Sequence, residues 1–432
     1  MFYIEGKYYS EIEVLKNISK EDIIILNSKG IIEILNIGLK FNFVGVISVK
    51  NMAFVVLPKT MKTEEELLLN TTIKTLKKYC SSNIQLFDGI DYFNIEPDDP
   101  DCSELAIAEF LINDFQEKGI LIFKEELYKE NGDGDISWSL TTDNIDPFYS
   151  KNQPIYINTI NQIIIEDSYN LIVVIHKWSL GYVTKKYSLL LGDDIMQFHF
   201  DYEEDINEIG SLELLINYLQ KQLQVIYSDR EIRVIKSLLF LLRKKAGLLE
   251  NDLSLYGTKK YESIWESICK VVVNDSYKGG SYFPNPQWNI LGKNFSSRSI
   301  LIPDITSEDP KTKNFYLFDA KYYSLKFDGE ISGEPGYKDI LKQFQYQHHI
   351  EKEIEKKISN AFLFPLNDDE YNLLKNNPNI IYFNEYMAVI GSLEYELYQD
   401  KKVWVIMCPF SKWQNSFILN KSIDYSKMYW KP

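Results

Sequence analysis

Two short stretches decide the fold: Ile302-Pro303-Asp304-Ile305 and, fifteen positions after its aspartate, Phe318-Asp319-Ala320-Lys321-Tyr322. Each lies in an apolar segment with the composition of a β-strand. The pattern predicts one strand over 299–304 and a second over 314–323. The polar residues 306–313 between them are typical of a hairpin loop that returns the chain antiparallel. This return is expected to bring the two aspartates together.

The spacing within the second stretch indicates a chemical role. Side chains at i and i+2 of a strand point to the same face, so Asp319 and Lys321 project together. With Asp304 alongside, the two carboxylates and the Ala320 carbonyl form a hard oxygen site suited to Mg²⁺, with Mn²⁺ as a substitute. Lys321 is expected to orient the attacking water and stabilise developing charge, with a pKa lowered by desolvation. The pattern predicts metal-dependent cleavage of phosphodiester bonds.

Acidic-x-Lys triplets are frequent in a chain with 62 acidic and 47 basic residues. The other examples include Glu5-Gly6-Lys7, Glu355-Lys356-Lys357 and Asp400-Lys401-Lys402. For any single triplet, the alternative is an ion pair on a half-exposed sheet. None of these three follows a Pro-Asp pair, so the context favours Asp319-Ala320-Lys321.

Two predicted helices flank the motif. The first, Lys259 to Val273, carries Glu262 and Glu266 one turn apart on one face. Glu266 is the first choice for a further metal ligand, and Glu262 is the alternative. The second, Gly336 to Lys357, carries Gln343, which is expected to position water or backbone unless it is a surface residue. The phosphate-contact candidates on this helix are Lys338, Lys342 and His348 or His349.

Length and patterning indicate several domains. A chain of 432 residues, 45% hydrophobic and 25% charged, is globular and too long for one ordinary core. We predict a β-rich N-terminal domain at 1–62 that contacts a partner or DNA, a mixed α/β middle region at 63–254, and a catalytic domain at 255–432. Short apolar runs predict further strands at 22–26, 171–175 and 186–191, and helices at 62–80, 103–118 and 205–246.

Charge and cysteine usage bound the function. The net charge of −15 argues against a protein that coats DNA indiscriminately, because phosphate contacts need clustered Lys and Arg. The charge is compatible with a nuclease, whose metal ligands are themselves acidic. The four cysteines are scattered, the first residues lack a signal-peptide pattern, and no apolar run is long enough to span a membrane. We therefore expect a cytoplasmic protein without membrane segments.

The motif resembles that of the PD-(D/E)XK nuclease superfamily, mapped onto Glu266 or Glu262, Asp304, Asp319, Lys321 and Gln343. More narrowly, the chain resembles the LlaJI-type restriction endonucleases, which are related to McrC. The stretches that carry this narrower resemblance are Phe43-Val-Gly-Val-Ile47, Val56-Leu-Pro-Lys59, Gly134-Asp-Ile-Ser-Trp138, Asn152-Gln-Pro-Ile-Tyr156 and Tyr256-Gly-Thr-Lys259. The segment 327–337 departs from the pattern and has no assigned role.

The resemblance implies an α/β (α+β) fold, with a C-terminal restriction-endonuclease-like mixed sheet flanked by helices. It also implies a Mg²⁺-dependent DNA endonuclease of a bacterial restriction and antiviral defence system, working with an McrB-like GTPase or ATPase subunit. The sequence contains no G-x-x-x-x-G-K-[ST] motif, so a partner would have to supply nucleotide hydrolysis. Double-strand cleavage would require a homodimer or two sequential nicks. The alternatives are a non-catalytic adaptor that binds a motor subunit or DNA, and a repair or RNA nuclease with the same metal site.

Overall fold

The computed structural model describes residues 2–49, 52–62, 66–82, 91–92, 102–166, 170–191, 206–249, 253–276, 287–296, 302–309, 312–328 and 330–424. The chain forms two compact units. Unit 1 combines Met1–Phe93 with Leu253–Pro432, and unit 2 is Asn94–Asp252. The second unit is therefore inserted, in sequence, within the first.

The first part of unit 1 alternates short strands and helices. Its elements are β1 (Phe2–Ile4), β2 (Tyr8–Tyr9), α1 (Glu11–Leu15), α2 (Lys20–Ser28), β3 (Ile32–Leu35), β4 (Gly38–Phe41), β5 (Val44–Val49), β6 (Met52–Leu57), α3 (Glu66–Ser82) and β7 (Asp91–Tyr92). The strands β2, β4 and β3 form a separate antiparallel sheet. An aromatic core that includes Tyr3, Phe41 and Phe54 holds this region together.

Unit 2 is rich in helices and contains α4 to α9. Its elements are α4 (Glu104–Lys118), β8 (Lys124–Glu130), β9 (Asp135–Ile136), α5 (Trp138–Asn144), β10 (Phe148–Ser150), β11 (Gln153–Ile155), β12 (Ile160–Glu166), α6 (Leu171–Leu191), α7 (Ile206–Ile209), α8 (Leu212–Gln222) and α9 (Asp229–Lys245). The strands form a three-stranded sheet, β8-β12-β9, and a β10–β11 hairpin. Ser103 caps α4 by accepting a hydrogen bond from the Ala106 amide, as its sequence predicts.

The second part of unit 1 is built around a larger sheet. Its elements are β13 (Leu253–Thr258), α10 (Tyr261–Val272), β14 (Gln287–Ile290), β15 (Lys293–Ser296), β16 (Ile305–Glu308), β17 (Phe315–Ala320), β18 (Lys326–Asp328), β19 (Glu330–Ser332), α11 (Tyr337–Ile354), β20 (Ser359–Leu366), α12 (Asp368–Leu374), β21 (Tyr382–Phe383), β22 (Ala388–Glu394), a 3₁₀ turn (Glu396–Tyr398), β23 (Lys402–Pro409) and α13 (Phe410–Ile418). The described residues of the segment 327–337 include the end of β18, the strand β19 that pairs with it, and the first residue of α11.

The six-stranded sheet has the order β16-β17-β20-β23-β22-β21. Strands β17, β20 and β23 are parallel, whereas β16 and β22 run antiparallel to their neighbours. Leu317 of β17 packs against Tyr346 and Ile350 of α11. The indole of Trp265, in α10, donates to the Leu363 carbonyl in β20 at 3.3 Å. The predicted α/β class, a mixed sheet with helices against it, is confirmed.

The five-stranded sheet joins the two ends of unit 1, with the order β1-β6-β5-β13-β7. Strand β13, which follows unit 2 in sequence, pairs antiparallel with β5. The predicted segments 1–62 and 255–432 thus lie in one unit, and residues of the predicted middle region up to 93 also join it. The physical reason is that β5 and β7 both need β13 as a hydrogen-bonding partner.

Three predicted strands are wrong. Residues 22–26 lie in α2, whose start is fixed by Ser19 accepting from the Asp22 amide. Residues 171–175 and 186–191 belong to α6, which buries apolar side chains such as Ile175 and Leu180. A continuous apolar run does not distinguish a buried helix from a buried strand, and this ambiguity accounts for the error in α6.

The predicted hairpin is displaced along the chain. Residues 299–301 of the predicted first strand lie outside the described residues, and Ile302 to Asp304 precede the strand instead of forming it. Strand β16 begins at Ile305, within the predicted loop, and its partner strand β17 begins at Phe315. The antiparallel return itself is confirmed, and the Pro-Asp pair leads into its strand instead of ending it.

In the part of the chain that the structure describes, no helix combines the length and apolar character needed to cross a bilayer.

The pairing of β5 with β13 generates a stability prediction. Gly45 lies opposite Gly257, and a Cβ on Gly257, whose φ is +153°, would fall 2.2 Å from the Val44 carbonyl oxygen. We expect Gly257→Ala to lower the free energy of unfolding by more than about 3 kcal/mol, or to prevent folding, because the backbone must separate. Urea denaturation measures the change.

Gly391→Ala in β22 is the matched control, since a Cβ there has no neighbour within 4 Å among the described residues. Similar losses in the two variants would contradict the expectation.

Candidate active site

The pairing of β16 with β17 brings the two motif aspartates together. Ile305 pairs with Phe318, so the next positions outward, Asp304 and Asp319, lie opposite each other at the sheet edge. The Tyr346 hydroxyl donates to the Ile302 carbonyl at 2.7 Å and holds the segment that leads into Asp304. Two residues after Asp304 in the sequence, the Thr306 amide donates to Asp275 at 2.9 Å. The first aspartate is therefore anchored on both sides in sequence.

Asp319 is a buried carboxylate, with 6% of its surface exposed. Burial, together with the nearby charge of Asp304, raises its pKa to about 7, although Lys321 acts in the opposite direction. Its Oδ2 atom lies 2.8 Å from Lys321 Nζ. Within the described part of the chain, this buried oxygen receives no well-aligned hydrogen bond. This oxygen of Asp319 is therefore incompletely satisfied in the described surroundings.

Lys321 lies between two carboxylates. Its Nζ atom is 2.8 Å from Asp319 and 3.5 Å from Asp339 in the first turn of α11. Burial alone lowers its pKa, but Asp319, and to a lesser degree Asp339 and Asp304, outweigh burial and raise it. These carboxylates thus raise the pKa of Lys321, and the lowered pKa expected for this lysine beside a bound metal stays a prediction. Asp339 is a site residue that sequence reasoning misses, because nothing local to α11 signals its approach to β17.

Lys342 of α11 belongs to the same electrostatic neighbourhood. Partial burial lowers its pKa, but the Tyr346 hydroxyl and the charges of Asp304 and Asp319 outweigh burial and raise it. Its Nζ lies 5.4 Å from the centre of the Tyr346 ring. The structure thus places this predicted phosphate-contact candidate within electrostatic range of both aspartates.

The structure separates the two candidate acids of α10. Burial first, then Cys408, Glu266 and both motif aspartates, raises the pKa of the Cys269 thiol. Glu266 therefore lies in the same neighbourhood as the aspartates, where it also pairs with Lys270 at 2.5 Å. Glu262 instead acts on Glu5 and Lys59, whose pKa values it raises. Of the two acids, Glu266 shares the electrostatic neighbourhood of the aspartates, and it stays the first choice for a third acid.

Gln343 lies in a buried hydrogen-bond network. Its amide nitrogen donates to Asn360 at 2.6 Å, and Asn360 donates in turn to the Gln343 carbonyl and to Gln347. The network continues from Gln347 to Glu351 at 3.1 Å. With 1% of its surface exposed, Gln343 is not a surface glutamine. The described contacts link α11 to β20, and its role towards water at the site stays a prediction.

A second cluster holds the chain just after the motif lysine. The Tyr322 hydroxyl donates to Glu5 at 2.7 Å and accepts from the Lys59 amide at 3.1 Å. The same amide lies 3.3 Å from Glu5, and Lys59 Nζ lies 4.2 Å above the Tyr322 ring. The first part of unit 1 thus contacts Tyr322, the residue that follows Lys321, through hydrogen bonds and a cation–π contact. Sequence reasoning misses this contact, because more than 260 residues separate Lys59 from Tyr322.

The donor set fits a hard divalent cation. No group of three or more His, Cys, Asp or Glu side chains among the described residues is arranged to hold a metal ion. Mg²⁺, however, needs only one or two protein carboxylates, with waters and substrate oxygens as further ligands. Asp304 and Asp319 supply that pair, and the incompletely satisfied Asp319 Oδ2 is a suitable donor. Ala320, the last residue of β17, and Glu266 are adjacent candidates.

Comparison with known proteins gives one family. The sequence model of the LlaJI restriction endonuclease family matches residues 43–391. The chain is also 29% identical over 442 residues to the type II restriction enzyme BsuMI component YdjA of Bacillus subtilis (strain 168), covering 99% of this chain and 91% of that protein.

Two solved structures share more distant similarity. A chain of the half-complex of Thermococcus gammatolerans McrB AAA+ hexamers with bound McrC aligns with a TM-score of 0.42 and 13% identity, over 97% of this chain and 98% of that one. A chain of the McrBC complex from the same organism aligns with a TM-score of 0.26 and 16% identity, over 56% of this chain and 79% of that one.

The Tyr322 cluster generates a prediction about stability. We expect Tyr322→Phe to lower the free energy of unfolding by about 1–3 kcal/mol, because the partly buried Glu5 carboxylate loses its closest hydrogen-bond donor. Urea denaturation measures the loss. The control is Tyr323→Phe, at a tyrosine that is 38% exposed, where we expect little change. Equal effects in the two variants would show that the Tyr322 hydroxyl has no special role.

Proposed function

The chain belongs to the LlaJI restriction endonuclease family, and from this premise we propose that it is the metal-dependent DNA endonuclease subunit of a cytoplasmic restriction system. The juxtaposition of Asp304, Asp319 and Lys321 carries the proposal. It has the residue types and the face-sharing geometry that the PD-(D/E)XK superfamily requires. An adaptor with a decayed site would have no reason to keep these three side chains together.

The proposed site assigns a task to each residue. Asp304 and Asp319 would hold Mg²⁺ (or Mn²⁺), and Glu266 and the Ala320 carbonyl would be additional donors. When bound, the cation acts as a Lewis acid that lowers the cost of charge developing on the phosphate. Lys321 donates from Nζ to a non-bridging phosphate oxygen or to the attacking water, and Asp319 and Asp339 set its direction.

Lys342 is assigned to the phosphate backbone of the substrate. It extends from α11 within range of both aspartates, and its charge offsets part of the repulsion between the acidic site and DNA. Gln343 is assigned an indirect role, since its network with Asn360 fixes α11 against β20.

The partner of this subunit is proposed as an McrB-like GTPase or ATPase. The sequence lacks a P-loop, so nucleotide-driven movement along DNA must come from another chain. The related Bacillus protein is named as one component of its restriction enzyme. One active site per chain also means that double-strand cleavage requires two copies or two sequential nicks.

Plasmid cleavage tests the catalytic assignment. We expect wild type, with its partner subunit and Mg²⁺, to nick or linearise plasmid DNA, and EDTA to abolish the reaction. Asp319→Ala and Lys321→Ala are each expected to lower the rate by at least about 100-fold, because each removes charge stabilisation at the phosphate. An RNA substrate in parallel distinguishes an RNA nuclease.

Asp400→Ala, at the exposed aspartate of the Asp400-Lys401-Lys402 triplet, is the control and should retain activity. If wild type and Asp319→Ala are equally inert with the partner present, the chain is an adaptor and the enzyme proposal fails.

Cation binding supplies a test independent of activity. At a concentration 100-fold above the dissociation constant, Mg²⁺ should stabilise the wild type by about 2.7 kcal/mol, measured as a rise in Tm. We expect Asp319→Ala to lose this rise and Glu266→Gln to reduce it. Glu262→Gln, one helical turn away, should leave it unchanged. A rise that depends on Glu262 and not on Glu266 would reverse the assignment of the third acid.

A further inference from the structure

We propose that a lysine-lined groove in unit 1 binds the phosphodiester backbone of the DNA strand that enters the site. The groove is defined by Lys7, Lys59, Lys62 and Lys326, and it encloses about 720 Å³. The inference rests on the proposed function, because it assigns a path to the substrate of the aspartate pair.

The groove lies at the edge of the sheet that carries the site. It is lined by Ser324 to Lys326, which begin three residues after Lys321, and by Pro365 to Asn367, where β20 ends. The other wall comes from the turn after β1 and from the segment after β6. Parallel strands β17 and β20 direct their carboxyl ends to this edge, which is where open α/β sheets bind ligands.

The charge of the groove is opposite to that of the whole chain. Four lysines line it, together with the two carboxylates Glu5 and Glu370. Glu5 is engaged by Tyr322 and by the Lys59 amide, and Glu370 pairs with Lys62. The Lys62–Glu370 pair is solvent-exposed, and such pairs contribute only about 0–1 kcal/mol, so a phosphate can compete for the lysine. In a chain of net charge −15, this excess of lysine points to an anionic ligand.

A neighbouring cavity differs from the groove in the polarity of its lining. That cavity, of about 400 Å³, shares Leu325 with the groove but is lined by apolar side chains that include Phe362, Phe364 and Ile390. No lysine is among its lining residues in the described part of the chain. An apolar ligand would choose this cavity, whereas an extended polyanion matches the lysine groove. Tyr322 connects the groove with the site, because Lys59 Nζ lies over its ring and Lys321 directly precedes it in the sequence.

DNA binding by the full-length chain in the Asp319→Ala background tests the groove without cleavage. Fluorescence anisotropy with a labelled duplex gives Kd over a series of KCl concentrations. We expect the added triple change Lys7→Gln, Lys62→Gln and Lys326→Gln to weaken binding about tenfold or more. It should also reduce the slope of log Kd against log salt by about three, roughly one for each lost phosphate contact.

The control variant carries Lys16→Gln, Lys375→Gln and Lys421→Gln, which make the same charge change at exposed lysines outside the groove. Its affinity and salt slope should match the parent. The proposal is overturned if both variants lose the same affinity or if the groove variant loses none. It is also overturned if the parent binds no DNA at low salt, or binds only an RNA duplex. If the groove variant binds DNA as tightly as its parent while the wild type still cleaves DNA, only the groove proposal fails. The catalytic assignment then stands.

Discussion

The burial of Asp319 beside Asp304 is the constraint on which the rest of unit 1 depends. Two carboxylates at a sheet edge repel each other, and burial raises the cost of charging the inner one. The arrangement persists because β16 and β17 are paired in register and because Tyr346 anchors the chain ahead of Asp304. Lys321 compensates only part of the charge. In the proposed function, the repulsion that makes this arrangement unfavourable alone is what would favour a divalent cation there.

The N-terminal strands are part of the structure that holds this site. Glu5 and Lys59 reach Tyr322, the residue after Lys321, through hydrogen bonds and a ring contact. Strand β13 then closes the N-terminal sheet with residues that follow the inserted unit in sequence. In this pairing, Gly45 and Gly257 lie opposite each other and too close for side chains.

Helix α10 carries two glutamates that are close in sequence but lie in different surroundings. Glu262 and Glu266 are four positions apart, a rise of about 6 Å and a rotation of about 40°. That offset is enough to place Glu266 near the aspartates and Glu262 near Glu5 and Lys59. A sequence pattern that detects "an acid on this helix" cannot distinguish them, because both satisfy it equally.

The sequence by itself indicated the family, through the resemblance of its motifs. It also determined the antiparallel return and the placing of Asp304 with Asp319 and Lys321, because strand periodicity and a short connection leave few alternatives. Helix α4 was likewise predictable from its serine cap. The strand assignments within α2 and α6 failed, because apolar runs fit either structure. Only the tertiary structure decided that Asp339 flanks Lys321, that Gln343 joins a buried network, and that lysines from both ends of unit 1 line one groove. Those contacts join residues distant in the chain, and local patterns carry no information about which distant side chains will meet.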